Sequence, residues 1–357
     1  MKIKRLLKWL IGFLGIAIFI IGSYAIYVFA AYYRLPDHII LNPNNNQPVK
    51  LQPHRQYTAM TYNIGYGAYP PKYSFFMDGG KYSLAFSRHA VEKNMAGIIE
   101  TANRVAPDLA FFQEIDVNGD RSRHVNEVRQ LTKQTSEYSS LYGQNYDSPY
   151  LFYPITEPIG RAKSGLLTLV KAHINTATRY SLPIDKGISK LTDLDRAFTA
   201  AQVPVNNGKT LTIINIHMSA YTKNKATQRA QFQKLFNYLE QKYRQGNYVM
   251  VAGDYNHTIL KNSNRIFKDG NQKLTWTHPF PDQQLPKGFY RPTQGLKQAA
   301  VPSVRNLNTA YHPHHSFVTM IDGYILSKNI KAIKIKVVNT HFKDSDHNPV
   351  LLRFSLK

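Results

Sequence analysis

Short apolar runs alternate with longer amphipathic stretches along most of this chain. The runs at 57–64, 109–112, 165–170, 211–216, 248–252, 317–326, 333–338 and 350–354 are rich in β-branched and aromatic residues and are flanked by Gly, Pro and Asn. Those lengths and flanks predict buried strands. Stretches at 87–105, 122–135 and 223–244 carry a helical period instead. In the last, Phe232, Leu235, Phe236 and Leu239 fall on one face, opposite Gln231, Lys234, Gln241 and Lys242, the stripe of a helix laid on a core. No repeat of fixed period interrupts the alternation. Strands interleaved with helices predict one α/β domain of layered sheets covered by helices.

The first residues break this pattern. Trp9 to Ala31 run for 23 residues without a charge, preceded by four cations (Lys2, Lys4, Arg5, Lys8) and with Tyr24, Tyr27, Tyr32 and Tyr33 towards or just past the far end. About 20 apolar residues span a bilayer, a basic flank stays in the cytoplasm, and tyrosines favour an interface. The expectation is a single-pass anchor at 9–31, a cytoplasmic flank at 1–8, and the remaining chain outside the cell membrane. A cleaved signal peptide ending near Val28-Phe29-Ala30 is the competing reading, although its apolar region usually spans only roughly 7–15 residues. Residues 34–55, with Pro36, Pro43, Asn44, Asn45, Asn46, Pro48 and Pro53, have the composition of an exposed linker. The folded domain is then 57–357.

Composition narrows the chemistry. The absence of cysteine excludes disulfides, thiolate metal sites and a cysteine nucleophile. Lys and Arg number 45 against 22 Asp and Glu, a net charge of +23 scattered along the chain. Such a field favours polyanions and anionic membrane surfaces. Nothing in the sequence points to a protein partner.

Polar residues of one chemical kind end several apolar runs: Asn63, Gln113-Glu114, Asn215-Ile216-His217, Gly253-Asp254-Tyr255-Asn256 and Ser345-Asp346-His347-Asn348-Pro349-Val350. Carboxylates, carboxamides and two histidines are what metal-assisted attack of water on a phosphate ester requires. Glu114 offers the hard oxygen that Mg2+ prefers. Asp254 and Asn256, two apart at the end of a run, can face one way, one to accept a proton and the other to donate to phosphate. Asp322, within the apolar run Met320-Ile321-Asp322-Gly323-Tyr324-Ile325, needs a partner, and an imidazole N–H is the natural one. His347 is the expected partner, and the pairing favours its protonated form.

In this order the islands, with Ile321-Asp322-Gly323-Tyr324, resemble the motif series of the endonuclease/exonuclease/phosphatase superfamily across roughly residues 57–356. The resemblance implies a DNase I-like four-layer α/β sandwich, two mainly antiparallel β-sheets face to face with helices outside, and a metal-dependent phosphodiesterase or nuclease-like hydrolase. It implies Mg2+ as cofactor, with Mn2+ or Ca2+ as alternatives. Glu114 becomes the principal metal ligand, with Asn63 and Asp346 assisting. Asp254, His217 and His347 share the acid, base and charge-stabilising roles without a fixed assignment, Asn256 binds phosphate, and Asp322 orients His347. Gly323 departs from relatives that carry a side chain there.

Residues 67–84 lie between the Asn63 run and the first expected helix as an inserted aromatic loop beside the site. Lys81 within it, and Arg121 and Arg123 after Glu114, are candidate substrate-binding cations, with Asp120 or Ser122 as the alternative helix cap. Tyr311-His312-Pro313-His314-His315 reads as an exposed loop rather than a metal tract. The substrate is a polyanionic phosphate ester, either nucleic acid or a lipid headgroup or polyol phosphate.

Overall fold

The computed structural model describes residues 2–187, 195–220, 224–267 and 278–357. In chain order, helix α1 (Lys2–Ala31) leads to β1 (Ile39–Leu41) and β2 (Gln56–Asn63). Then come α2 (Arg88–Val105), β3 (Leu109–Gly119), α3 (Glu127–Lys133), β4 (Ser139–Asp147), β5 (Ala162–Val170) and β6 (Thr176–Ser181). Strands β7 (Ala197–Pro204) and β8 (Thr210–His217), helix α4 (Lys225–Arg244) and strand β9 (Tyr248–Asp254) follow.

Two large sheets result. One has seven strands, ordered β1-β6-β7-β8-β9, then the Asp322–Ser327 strand and the short Phe289–Tyr290 strand. The other has six, ordered Ile330–Val337, Val350–Leu356, β2, β3, β5, β4. Each large sheet contains one parallel pair, β8 with β9 and β2 with β3; its other pairs are antiparallel. Parallel neighbours need a long crossover, and α2 and α4 supply it. Each sheet therefore has a βαβ unit near its middle, and the carboxyl ends of those strands carry Asn63, His217 and Asp254.

The helices lie on the outer faces. Phe232, Leu235, Phe236 and Leu239 of α4 join the larger apolar cluster with Val249 and Val251 of β9. Val91, Met95 and Ile98 of α2 join the second cluster with Met60, Tyr62, Ala110 and Phe112. Gln231 departs from its expected place on the polar face. It is buried and donates to the Pro183 carbonyl and Ser219 Oγ. A partner within reach makes burial of a carboxamide affordable.

The ends of α2 and α4 follow their caps. Ser87 Oγ accepts the Ala90 N–H and Asn224 Oδ1 accepts the Ala226 N–H, each satisfying an otherwise orphaned helix-end donor. Lys223 lies outside the described residues. The helix expected at 122–135 is shorter, beginning after Asn126, whose Oδ1 accepts the Arg129 N–H. Neither Asp120 nor Ser122 caps it: Asp120 Oδ2 accepts the Arg161 N–H and the Ser122 hydroxyl is committed to Asp116.

Residues 34–55 correct the linker expectation. β1 adds an edge strand beside β6, Asn44 bridges to Ser140 at the edge of the other sheet, and buried Leu51 bridges to Val205. Asn46 Oδ1 accepts from Ile174 N and Ser139 Oγ. Prolines and asparagines bar a central strand but not an edge, where side-chain amides supply the pairing. The segment laces the two sheets together along one border.

Candidate active site

Strand register assembles the site. His217 lies beside Asp254 across β8 and β9, and Asp254 lies beside Asp322 on the next strand. In the other sheet Asn63 lies beside Gln113. The two rows face one another at the carboxyl ends of β2, β8 and β9, and Asn63 Nδ2 donates across to Asp254 Oδ2 at 3.0 Å. The same oxygen faces His217 Nε2 at 3.7 Å and His347 Nε2 at 3.8 Å. Asp254 Oδ1 accepts the Asn256 N–H at 2.8 Å. Asp254 is thus the hub of the cluster.

Two glycines permit these approaches. Gly253 has φ +153, and a Cβ there would stand 2.0 Å from the Ile216 carbonyl oxygen, so no larger residue fits where β9 passes β8 into Asp254. Gly65 has φ +54, and a Cβ would meet Asp346 Oδ1 at 2.6 Å. The closing motif is fastened beside it, since Ser345 Oγ donates to the Asn63 carbonyl and accepts the His347 N–H.

Glu114 reaches the cluster by a different device. Its strand does not stop at Gln113 as the sequence predicts but continues to Gly119. Pairing with β5 jumps from Phe112–Leu167 to Ile115–Gly165, and Glu114 takes φ +51. A bulge of this kind turns one side chain out of the ladder, and left-handed backbone in a non-glycine residue is strained. The outcome is a carboxylate 3.6 Å from His217 Nε2.

Burial first, then the Asp346 charge, pushes Glu114 up to about 8, and burial first, then Asp322, pushes Asp254 up to about 7. Asp346 is also raised, by burial. The two histidines are driven apart. Burial first, then the Arg196 charge and that of His347, hold His217 well below its usual range. Burial would depress His347 as well, but Asp322, Asp346 and Asp254 outweigh it and raise it to about 10. Asp322 Oδ2 accepts from His347 Nδ1 at 2.9 Å, the pairing expected from sequence. One imidazole is neutral and the other protonated at neutral pH.

A buried carboxylate whose pKa is raised by a neighbouring carboxylate's charge marks a donor set whose repulsion a divalent cation relieves. Glu114 and Asp346, on the wall of one cleft, fit that requirement. Asp254, Asp322 and His347 also bring potential ligand atoms within 4.8 Å of one another; Asp322 Oδ2 holds His347 Nδ1, while its buried Oδ1 has no hydrogen-bond partner among the described residues. Asn63 is engaged at both ends, accepting the Gly65 N–H and donating to Asp254, so it positions Asp254.

The remaining sequence candidates separate. Arg121 is on the cleft wall but buried, donating through Nε and Nη2 to Asp116 and lying 3.3 Å over the Tyr66 ring. Arg123 Nε donates to the Ala85 carbonyl, and Lys81 lies 5.4 Å from the Tyr82 ring; neither lines the cleft. Asn256 lines it, its side-chain amide held by the Met218 carbonyl. Sequence reasoning missed Arg196 and Arg305, both buried on the wall. Arg305 donates to the carbonyls of Tyr69, Pro70 and Tyr73 and so fixes the 67–84 loop. The available signal was a cation abutting an apolar residue at Arg196-Ala197-Phe198 and Val304-Arg305. The 311–315 tract is largely exposed loop.

Residues 60–303 match the model of the Endonuclease/Exonuclease/phosphatase family. The chain belongs to this family. Its members hydrolyse phosphate esters with a divalent metal, and this chain is a metal-dependent hydrolase of that class. The fold agrees with solved structures. An endonuclease/exonuclease/phosphatase from Beutenbergia cavernae matches at TM-score 0.54 and 14% identity, covering 85% of this chain and 72% of that one. The human Nocturnin catalytic domain with bound sulfate matches at TM-score 0.52 and 17% identity, covering 88% and 99%. Danio rerio (D. rerio) TDP2 complexed with a single-strand DNA product matches at 0.50 and 13%, covering 84% and 99%. At these identities the likeness is one of fold. Among curated proteins none matches this chain.

Proposed function

We propose that the chain hydrolyses a phosphodiester outside the cytoplasm, tethered by α1, with Mg2+ held by Glu114 and Asp346. The observation that carries this reading is the convergence of Asn63, His217 and His347 on one oxygen of Asp254. Mg2+ held there would polarise the phosphoryl oxygen and neutralise charge as it develops.

The protein's own groups supply the proton traffic. Asp254, raised to about 7, is matched to accept a proton from water near neutrality, and Asn63 holds the receiving oxygen in place. His347 carries a proton and, fixed by Asp322, delivers it to the leaving oxygen. His217 stays neutral and offers an Nε2–H to the phosphate, as does the Asn256 amide. The oxygen of water bonds to phosphorus, one P–O bond breaks, and the released alcohol carries away the proton of His347.

For the tether, α1 has mean hydropathy 2.2 over its most apolar window and only Val28 buried. Length and composition suit a membrane span, and a signal sequence near an N-terminus passes the same test. Polycationic charge, +23 overall, and the fold neighbour solved with DNA support nucleic acid as one substrate class, with lipid headgroups as the other. The reaction is tested with purified full-length protein and bis(p-nitrophenyl) phosphate. Hydrolysis is expected with Mg2+, lost in EDTA, and reduced at least about 100-fold in Glu114→Ala and His347→Ala. Activity in EDTA, or wild-type rates in both variants, would refute it.

A further inference from the structure

The mouth of the cleft is joined to the apolar helix. The Tyr24 hydroxyl of α1 donates to the Tyr150 carbonyl at 3.0 Å and accepts the Phe152 N–H at 3.1 Å, while the Tyr27 hydroxyl accepts the Tyr150 N–H at 3.1 Å. The Tyr24 ring also meets Phe152 edge-on, with centroids 5.1 Å apart. From the adjacent Tyr153, rings continue without a break: Tyr153 to Phe76 at 5.7 Å, Phe76 to Phe75 at 4.9 Å, Phe75 to Tyr69 at 5.7 Å, and Tyr69 to Tyr66 at 6.1 Å. Tyr66 and Tyr69 share the wall of a cleft of about 400 Å3 with Glu114, Asp254 and His347. A row of aromatic side chains thus runs from the helix to the catalytic cluster.

The outer end of that row is bare. Phe152, Tyr153, Ile155 and Met77 are 55%, 70%, 86% and 46% exposed. Large apolar side chains gathered at the rim of a site mark a surface that something apolar covers. Helix α1 identifies the cover. Tyr24 stands seven residues before Ala31, the last helical residue, which is about 10 Å of helix. That places the 150–155 loop against the outer-leaflet half of the span expected at 9–31, beside the lipid that surrounds the helix.

The walls disfavour the other substrate class. A groove that tracks nucleic acid presents accessible Lys or Arg to successive phosphates. Among the described residues the cleft wall has no lysine, and its arginines, Arg121, Arg196 and Arg305, are 6%, 2% and 1% exposed.

We propose that the substrate is a membrane phospholipid, taken from the outer leaflet of the bilayer that anchors the chain, its headgroup phosphodiester entering the cleft along the row of rings. This rests on the phosphodiester hydrolysis proposed above. Water adds to phosphorus with its proton passing to Asp254, the P–O bond to one alcohol breaks, and that oxygen takes its proton from His347. The products are an alcohol and a phosphomonoester, and no other reactant is consumed. One product keeps the acyl chains and remains in the membrane. The rings and the exposed rim hold the lipid's apolar part during the reaction.

The test uses full-length protein reconstituted with Mg2+ in vesicles of phosphatidylcholine and phosphatidylglycerol, with products read by phosphorus NMR. Soluble bis(p-nitrophenyl) phosphate and single-stranded DNA are assayed in parallel. Vesicle lipid should be consumed, and the double variant Met77→Asp/Ile155→Asp should lower the ratio of lipid to soluble-ester turnover by about tenfold or more. Soluble ester or DNA cleaved with both lipids intact overturns the lipid assignment and leaves the hydrolase reading standing. Failure on every substrate defeats that reading itself. An equal fall on lipid and soluble ester in the variant also overturns the proposal. Independently of activity, the chain lacks cysteine, so Ile155→Cys accepts a single nitroxide. In proteoliposomes it should be more accessible to oxygen than to a water-soluble nickel chelate, and the reverse order overturns the docked geometry.

Discussion

At the residue scale the site is held together by charges that fit poorly without a cation. Glu114 is raised to about 8 and His347 to about 10, so in the metal-free protein both bind a proton more tightly folded than unfolded. Stability from Glu114 is complete below its ordinary value of about 4.3 and lost as pH rises through about 8; that from His347 is complete below about 6.5 and lost as pH rises through about 10. The melting temperature of EDTA-treated protein should therefore fall as pH rises from about 7, above the range in which the depressed His217 adds stability with pH, to about 10. Glu114→Gln should flatten the lower part of that decline and melt higher than wild type at pH 7, with activity abolished. Thermal scans across pH decide this, and a metal-free wild type that gains stability up to pH 9 would contradict it. Asp322→Asn should lower the His347 titration midpoint towards the ordinary histidine range, read by NMR of the imidazole.

At the element scale the two sheets depend on polar groups buried between them. Gln113 Nε2 donates to Asn215 Oδ1 at 2.7 Å, and the Asn215 amide donates to the Phe112 and Leu167 carbonyls and to Thr168 Oγ1. Asn215→Ala strands several of these and should cost about 3 kcal/mol or more of unfolding free energy in urea titrations. A loss near zero would mean that water or repacking satisfies them. Gly253→Ala forces β9 away from the Ile216 carbonyl and should reduce both stability and activity, because Asp254 moves with it. Most larger strands and all three amphipathic helices were legible from period and caps. The strands Ser139–Asp147, Thr176–Ser181 and Ala197–Pro204 were not: their Ser, Thr, Gly and Ala content masks the period, and only pairing to neighbours makes them strands. The single run expected at 317–326 is divided, Val318–Thr319 pairing elsewhere before the Asp322–Ser327 strand begins.

At the scale of the whole molecule, α1 and the catalytic domain are bound by tyrosine hydroxyls to one loop, which gives a topology test. Protease added to intact cells should remove the domain from a membrane-retained α1, and protection of the domain would refute the outward orientation. The sequence by itself determined the layered α/β class, the N-terminal apolar helix and the family, because strand ends and an uninterrupted apolar run are local and write themselves as composition and spacing. It could not determine that Glu114 sits on a mid-strand bulge, that Arg121 is already spent on Asp116, that the 34–55 segment is a strap, or that the cleft opens beside α1. Those facts depend on which strand lies against which and on charges brought together from distant parts of the chain, so only the tertiary structure decided them.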